Sequence, residues 1–218
     1  MRGQGATAEM TEVGSPTVFI VDDDPSVRTA VQRLLESVGL PCEMFSNAGD
    51  FLKRVEHNVV DGCLVLDVRM PGPSGLDLQR SLVSMGHDLP IVFVTAYADV
   101  PLTVRAMKAG AMEVLTKPFD DQALLDVINA ALAKARVQRH DREETGRLRG
   151  LHDKLTPRER EVMGLVVSGL PNKQIATQLG TTERTVKAHR AQVMHKMRAD
   201  SLAELVRMAD RLSPAKVE

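Results

Sequence analysis

Three carboxylates stand side by side at Asp22, Asp23 and Asp24, directly after the apolar run TVFIV, and a fourth, Asp67, follows the run GCLVL. Thr95 closes IVFVT in the same manner, and Lys117 follows VLT. If each apolar run is a strand of one parallel sheet, these endings bring two or three carboxylates, a hydroxyl and an ammonium into one crevice. Two carboxylates about 4 Å apart repel by roughly 4 kcal/mol at an effective dielectric of 20, which raises their pKa unless a cation sits among them. A divalent metal removes that penalty. Oxygen ligands with open positions suit Mg²⁺, which keeps several waters and shares phosphate oxygens. Lys117 then pairs with a phosphoryl oxygen as a point charge, and Thr95 donates its hydroxyl to another. Asp67, followed by a Pro-Gly-Pro-Ser-Gly loop, is placed to act as nucleophile and form an acyl phosphate. Taken singly, these residues are a turn acid, a surface lysine and a strand threonine; their coincidence at four strand ends is what carries the chemistry.

The elements that must hold them follow from the surrounding pattern. From residue 17 to about 131, short apolar runs alternate with amphipathic stretches: TVFIV (17–21), CEMF (42–45), GCLVL (62–66), IVFV (91–94) and AMEVL (111–115). After the first run, SVRTAVQRLLESVG sets Val27, Val31, Leu34, Leu35 and Val38 at helical spacing, with Gly39 as a stop. Five strands alternating with five helices predict an α/β fold, a doubly wound (βα)5 parallel sheet covered on both faces. Pro25 disfavours a helical backbone at Asp24 and suits the first helical position itself, so Asp24 reads as the N-cap of that helix. The three acids therefore divide into one cap and an acidic pair, Asp22 and Asp23, that faces the metal.

Residues 132–154 are charged with sparse apolar residues, and Gly146 and Gly150 are their only breakers. The fifth helix is expected to run on as a linker to about residue 145. Residues 155–212 read as four helices with no strand signal. Their starts are marked by Thr156-Pro157 with Glu159, by Asn172, by Thr182 and by Ser201 with Glu204, and Gly169 and Gly180 mark stops. The predicted organisation is a flexible tail (1–16), an α/β domain (17–131), a long helical linker (132–150) and an all-α four-helix domain (151–216).

Composition narrows the class. With 218 residues and 43% hydrophobic content, the chain can build two small cores. Residues 1–16 contain no apolar segment of a signal peptide, and no run approaches the roughly 20 apolar residues of a membrane span. The two cysteines, Cys42 and Cys63, lack metal-ligand spacing and are expected to be buried reduced thiols. These features predict a cytoplasmic protein without a membrane partner. The net charge of −1 hides an asymmetry: residues 1–150 hold 16 Lys and Arg against 21 Asp and Glu, whereas 151–218 hold 12 against 8. Only the tail is suited to a polyanion.

Segment 17–131 resembles the receiver domain of bacterial two-component response regulators, through VDDD, LVLDVRMPGPSGL, VTAYADV, AMKAGA and LTKPF. The resemblance implies that Asp67 accepts a phosphoryl group from a sensor histidine kinase, catalysing no reaction beyond its own phosphorylation and dephosphorylation. It further implies a Mg²⁺ site of Asp22, Asp23, Asp67 and the Arg69 carbonyl, and a cis bond between Lys117 and Pro118. Receivers commonly carry Tyr or Phe three residues before the lysine, where Val114 stands here. Either packing alone reads out a movement of Thr95, or the nearby Tyr97 takes part.

In the tail, Gln174, Ile175, Ala176 and Leu179, then Gly180-Thr181, then Val186, Val193 and Met197 fit a helix, a tight turn and a second helix with an apolar inner face. Arg184, Lys187, Ala188, Ala191 and Gln192 fall on or beside the outer face, where small alanines allow close approach to a groove and Lys187 and Gln192 reach base edges. The stretches LTPREREV, GLPNKQIA and TERTVKAHR are similar to LuxR-type helix-turn-helix domains, and the whole chain resembles the NarL/FixJ class of response regulators. That resemblance implies promoter DNA and RNA polymerase as partners, with a homodimer formed on phosphorylation. The fourth helix, fifth strand and fifth helix would then form the dimer surface or release the tail, with Val104, Met107 and Met112 as adaptable apolar contacts. Lys173, Thr185 and Lys196 are expected to hold phosphates. No separate cofactor-binding loop is predicted: a flavin site would need a Ser/Thr-rich loop after the first strand. A haloacid dehalogenase-type phosphatase would need a carboxylate where Arg69 stands.

Overall fold

The computed structural model describes residues 16–56 and 60–213, so the tail expected over 1–16 lies almost wholly outside the described residues. Two compact units divide between Arg139 and His140. In the first, strands β1 (Thr17–Val21), β2 (Cys42–Phe45), β3 (Gly62–Asp67), β4 (Ile91–Thr95) and β5 (Glu113–Thr116) alternate with helices α1 (Pro25–Ser37), α2 (Ala48–Glu56), α3 (Gly75–Ser84) and α4 (Val100–Lys108), and α5 (Asp121–His152) follows β5. The sheet is parallel, in the order β2-β1-β3-β4-β5.

Both faces of this sheet are covered, which is why its strands read as unbroken apolar runs. Phe19, Val21, Leu64, Leu66 and Phe93 point to one side, against Ala48 and Phe51 of α2, Leu78 and Leu82 of α3 and Leu102 and Ala106 of α4. The alternate residues Val18, Ile20, Val65, Val92 and Val94 point to the other, against Val31 and Leu35 of α1 and Leu124, Ile128 and Leu132 of α5. Each such buried side chain contributes roughly 1.5–3 kcal/mol relative to exposure. Cys63 belongs to this second layer and is fully buried, with its thiol pushed up to about 12 by burial, whereas Cys42 is only half-buried. The expectation of two buried thiols therefore holds for one of them. A thiol reagent at mildly alkaline pH is expected to modify Cys42 in the native protein and Cys63 only after denaturation, as peptide mass mapping would read.

The bounds of four elements differ from the sequence expectation. β3 and β4 each run one residue further, to Asp67 and Thr95, and β5 starts at Glu113 rather than 111. The chain leaving α4 is used first to close that helix, the Ala111 amide donating to the Ala106 carbonyl, before the Met112 amide reaches Ile91. The largest difference is in α5, which passes through Gly146 and Gly150 to His152 instead of stopping near 145. Each glycine costs roughly 0.5–1 kcal/mol in a helix, but burial of Leu148 and Leu151 in the core of the second unit outweighs it.

That core also takes in residues of α6 (Pro157–Val167), α7 (Asn172–Gln178), α8 (Glu183–Met197) and α9 (Leu202–Leu212), notably Val162, Ile175, Val186, Val193, Met197 and Leu205. Thr156 and Glu159 form a reciprocal capping box at α6. Thr182 caps α8 and Ser201 caps α9, although Glu204 turns its carboxylate to the Asp200 amide rather than to Ser201. Asn172 is the first helical residue of α7, whose cap position is Pro171 without a side-chain bond; its side chain instead accepts from Arg190 of α8. Among the described residues no helix is long and apolar enough to cross a membrane.

Candidate functional site

Strand register sets the site. Val21 pairs with Leu66, Asp67 with Val94, and Thr95 with Thr116, so Asp22, Asp67, Thr95 and Lys117 emerge in a row along the carboxyl edge. The strand order reverses between β1 and β3, the place where open parallel sheets form their ligand crevice. Gly75 lets the loop after Asp67 close tightly: its amide donates to the Val68 carbonyl at 2.9 Å, and a Cβ there would collide with the Asp67 carbonyl oxygen.

Asp22 and Asp67 are buried and Asp23 is exposed, and one carboxylate oxygen from each lies within 4.8 Å of the others. The Lys117 ammonium bridges the two buried acids, donating to Asp22 Oδ2 at 2.6 Å and to Asp67 Oδ2 at 3.0 Å. Their second oxygens accept backbone amides, Asp22 Oδ1 from Asp24 at 2.9 Å and Asp67 Oδ1 from Arg69 at 3.2 Å. Burial raises the Asp22 carboxyl above the usual range, and its hydrogen bond with Lys117 works against that. Burial opposes the Lys117 ammonium, yet hydrogen bonds to Asp22 and Asp67 together hold its pKa above the ordinary lysine value. Three carboxylates against one ammonium leave a net charge of −2, and every donor is oxygen. The chemistry of this set fits a hard divalent cation such as Mg²⁺.

Thr95 is fully buried; its hydroxyl oxygen accepts a long bond, 3.4 Å, from the Tyr97 amide. The Lys117–Pro118 bond is cis. Val114 is half-buried against the core, while Tyr97 is largely exposed with the Arg69 guanidinium 4.7 Å above its ring. The loops after β3 and β4 thus meet through a cation–π contact beside Asp67. Sequence reasoning missed this pairing of Arg69 with Tyr97. It also missed Arg28, which donates to the Asp22 carbonyl at 2.5 Å, one helical turn beyond Asp24.

Asp24 is the N-cap of α1, its carboxylate accepting from the Ser26 amide at 2.8 Å and hydroxyl at 2.6 Å, bonds that lower its pKa. Asparagine caps as well as aspartate, so Asp24→Asn is expected to leave melting temperature and Mg²⁺ affinity nearly unchanged. Asp23→Asn is expected to weaken Mg²⁺ binding. Titration of the two variants with Mg²⁺ checks both.

In the second unit, α7, a four-residue turn and α8 form a helix-turn-helix. Gly180 takes a left-handed φ of 60° in the turn, and the Arg158 guanidinium of α6 donates to the Leu179 carbonyl at 2.6 Å. Val186, Val193 and Met197 of α8 are buried. Arg184, Lys187, Ala188 and Ala191, at helical spacing, and Gln192 beside them are exposed, as is Lys173 on α7. Thr185 is half-buried with its hydroxyl 2.9 Å from that of Thr182. Lys196 lies apart from this face: its ammonium is 2.6 Å from Glu159, a buried carboxylate that also accepts the Thr156 amide. Glu159 was legible only as a capping residue; its second partner lies 37 positions away.

Comparison with known proteins agrees with both halves. The model described as "Response regulator receiver domain" matches residues 18–129, and that described as "Bacterial regulatory proteins, luxR family" matches 153–209. A receiver domain joined to a LuxR-type domain defines a transcription regulator of a two-component system. Nodulation protein W of Bradyrhizobium diazoefficiens is 47% identical over 97% of this chain and 92% of its own length. The transcriptional regulatory protein FixJ of Rhizobium meliloti is 42% identical over 88% of this chain and 94% of its own. Among solved structures, that of the response regulator StyR superposes with a TM-score of 0.78 at 50% identity, covering 91% of this chain and all of that one. The chain belongs to the two-component response regulators of the NarL/FixJ class.

Proposed function

We propose that phosphorylation of Asp67 by a sensor histidine kinase switches this regulator into a homodimer that binds promoter DNA through α8 and engages RNA polymerase in the cytoplasm. The observation that carries the reading is the bridge of Lys117 between two buried carboxylates in a site of net charge −2. Asp22, Asp23, Asp67 and the Arg69 carbonyl would hold Mg²⁺, which when bound neutralises charge on carboxylate and phosphoryl oxygens. Asp67 supplies the nucleophilic oxygen: as its bond to phosphorus forms, the phosphorus–nitrogen bond of the phosphohistidine breaks and the imidazole leaves. Lys117 exchanges Asp67 for a phosphoryl oxygen, and the Thr95 hydroxyl donates to another.

The new group adds a charge of about −1.5 to −2. Moving an equilibrium from mostly one state to mostly the other takes about 5.5 kcal/mol; the new Thr95 bond contributes roughly 1.5–3 kcal/mol, and the Lys117 bond, which replaces the one it makes to Asp67, adds only the difference between the two partners, so the remainder has to come from packing around the site. Val104 and Met107 are exposed on α4 and suit an apolar dimer contact, whereas Met112 is half-buried against the core and less available. In this reading the receiver spans 17–131, the helical linker 132–150 and the DNA-binding domain 151–216. Arg184, Lys187, Ala188, Ala191 and Gln192 face the groove, and Lys173 and Thr185 hold phosphates, whereas Lys196, expected in the same role, is held by Glu159 and less available. A twofold dimer would read an inverted repeat with half-sites about one turn apart.

Footprinting of genomic fragments with the phosphorylated protein identifies the operator and tests the DNA step. Lys187→Ala is expected to cost about 1–3 kcal/mol of operator affinity and to leave phosphorylation of Asp67 intact. Unchanged affinity would remove Lys187 from the groove.

A further inference from the structure

Arg28 has no part in the phosphoryl chemistry described above, yet it stands against the acidic site. It is the fourth residue of α1 and is half-buried. A cation in the first turn of a helix meets the positive end of the helix dipole, and partly burying a charged group costs hydration that only good partners replace. Among the described residues Arg28 makes no ion pair, and its side chain has one acceptor, the Asp22 carbonyl at 2.5 Å. What offsets these costs therefore lies at the end of β1.

The connection from β1 to α1 is three residues long, Asp22-Asp23-Asp24. Its two ends are fixed. The Asp22 amide donates to the Phe45 carbonyl at 3.2 Å, Asp22 Oδ1 accepts from the Asp24 amide at 2.9 Å, and the Asp24 carboxylate caps α1. Asp23 between them is exposed, and its carboxylate has no hydrogen-bond or ion-pair partner among the described residues. A carboxylate oxygen of Asp23 nevertheless lies within 4.8 Å of those of Asp22 and Asp67. With no partner of its own, that carboxylate is aimed by the peptide unit joining Asp23 to Asp22. The carbonyl of this unit is the atom that Arg28 holds, through a charge-assisted hydrogen bond.

We propose that Arg28 is a positioning residue for the cation site: its guanidinium fixes the Asp22–Asp23 peptide so that the Asp23 carboxylate is presented to Mg²⁺ beside Asp67. The inference rests on the Mg²⁺ reading of the site given above. It is opposite in sign to a purely electrostatic role, because a further cation near the site repels the metal. Contacts of this outer kind orient metal ligands, and their loss typically costs 10–100-fold in metal affinity.

The full chain, Arg28→Ala, Arg28→Lys, Asp23→Asn and the Arg28→Ala, Asp23→Asn double variant are stripped with EDTA, dialysed and titrated with MgCl2 by calorimetry, and their melting temperatures are measured without metal. Arg28→Ala is expected to raise the Mg²⁺ Kd about tenfold, and Arg28→Lys, which keeps a donor and the charge, to recover most of the loss. In the Asp23→Asn background Arg28→Ala is expected to add nothing, because both changes act on the same ligand. An unchanged Kd with a lowered melting temperature would make Arg28 a loop stabiliser only, and tighter binding would make it only a charge. Losses that multiply across the cycle would place its effect on a ligand other than Asp23. Each of these overturns the proposal and leaves the Mg²⁺ reading standing, whereas absence of saturable Mg²⁺ binding by the wild-type chain would overturn that reading and the proposal with it.

Discussion

Asp67→Asn is expected to take up no phosphoryl group from acetyl phosphate or phosphoramidate in Mg²⁺, while the wild-type chain gains the mass of one. Asp67 is, like Asp22, a buried acid with neighbours on both oxygens, Lys117 on one and the Arg69 amide on the other. An asparagine keeps the shape and the register at the end of β3, but its amide oxygen carries no full negative charge and is a poor nucleophile. Intact mass reads the first step. Operator affinity after acetyl phosphate treatment reads the second, and Asp67→Asn is expected to stay at the resting level. If both proteins bound the operator equally tightly after treatment, the receiver would be acting as a phosphate-independent dimerisation module, a role that Val114 in place of an aromatic ring would suit.

Lys117→Ala is expected to destabilise the receiver by about 2 kcal/mol in EDTA, with saturating Mg²⁺ restoring most of the loss. Removing one partner of a buried ion pair typically costs about 3–5 kcal/mol. The estimate is lower here because the Lys117 side chain is 15% exposed and Asp23 opens the site to water. A ligand at 100 times its Kd returns about 2.7 kcal/mol. The sign with pH follows from the raised lysine pKa: the ammonium stabilises the fold fully below the unfolded lysine value, and that contribution is lost as pH rises through the folded one. The gap between wild type and Lys117→Ala should therefore narrow at strongly alkaline pH. Urea unfolding with and without Mg²⁺ measures it. Equal stability of the two proteins in EDTA would mean that the ammonium is not what neutralises the acidic pair.

The parts legible in the sequence were those that period and local chemistry determine. Five apolar runs placed five strands, and strand endings alone aligned Asp22, Asp67, Thr95 and Lys117 on one edge. The Asp24 cap followed from Pro25. What was not legible depends on partners distant in the chain. Asp22 and Asp23 look equivalent side by side, yet one is buried under Lys117 and the other is exposed. Gly146 and Gly150 signalled a break that burial of Leu148 and Leu151 overrides. Lys196 read as a free cation because nothing local reveals that Glu159, on another helix, holds it. Gln79 sits within an otherwise ordinary amphipathic helix, and only the approach of α4 brings the Ala109 carbonyl to its amide.

The placing of Tyr97 has a practical outcome. The chain contains no tryptophan and a single tyrosine, and that tyrosine rests under the Arg69 guanidinium in the loops beside Asp67. Intrinsic fluorescence of the unlabelled protein therefore comes from one ring at the phosphoacceptor edge. A change of emission on adding Mg²⁺ or acetyl phosphate would report local rearrangement there directly, free of signal from the DNA-binding unit, and could be followed in real time by stopped flow.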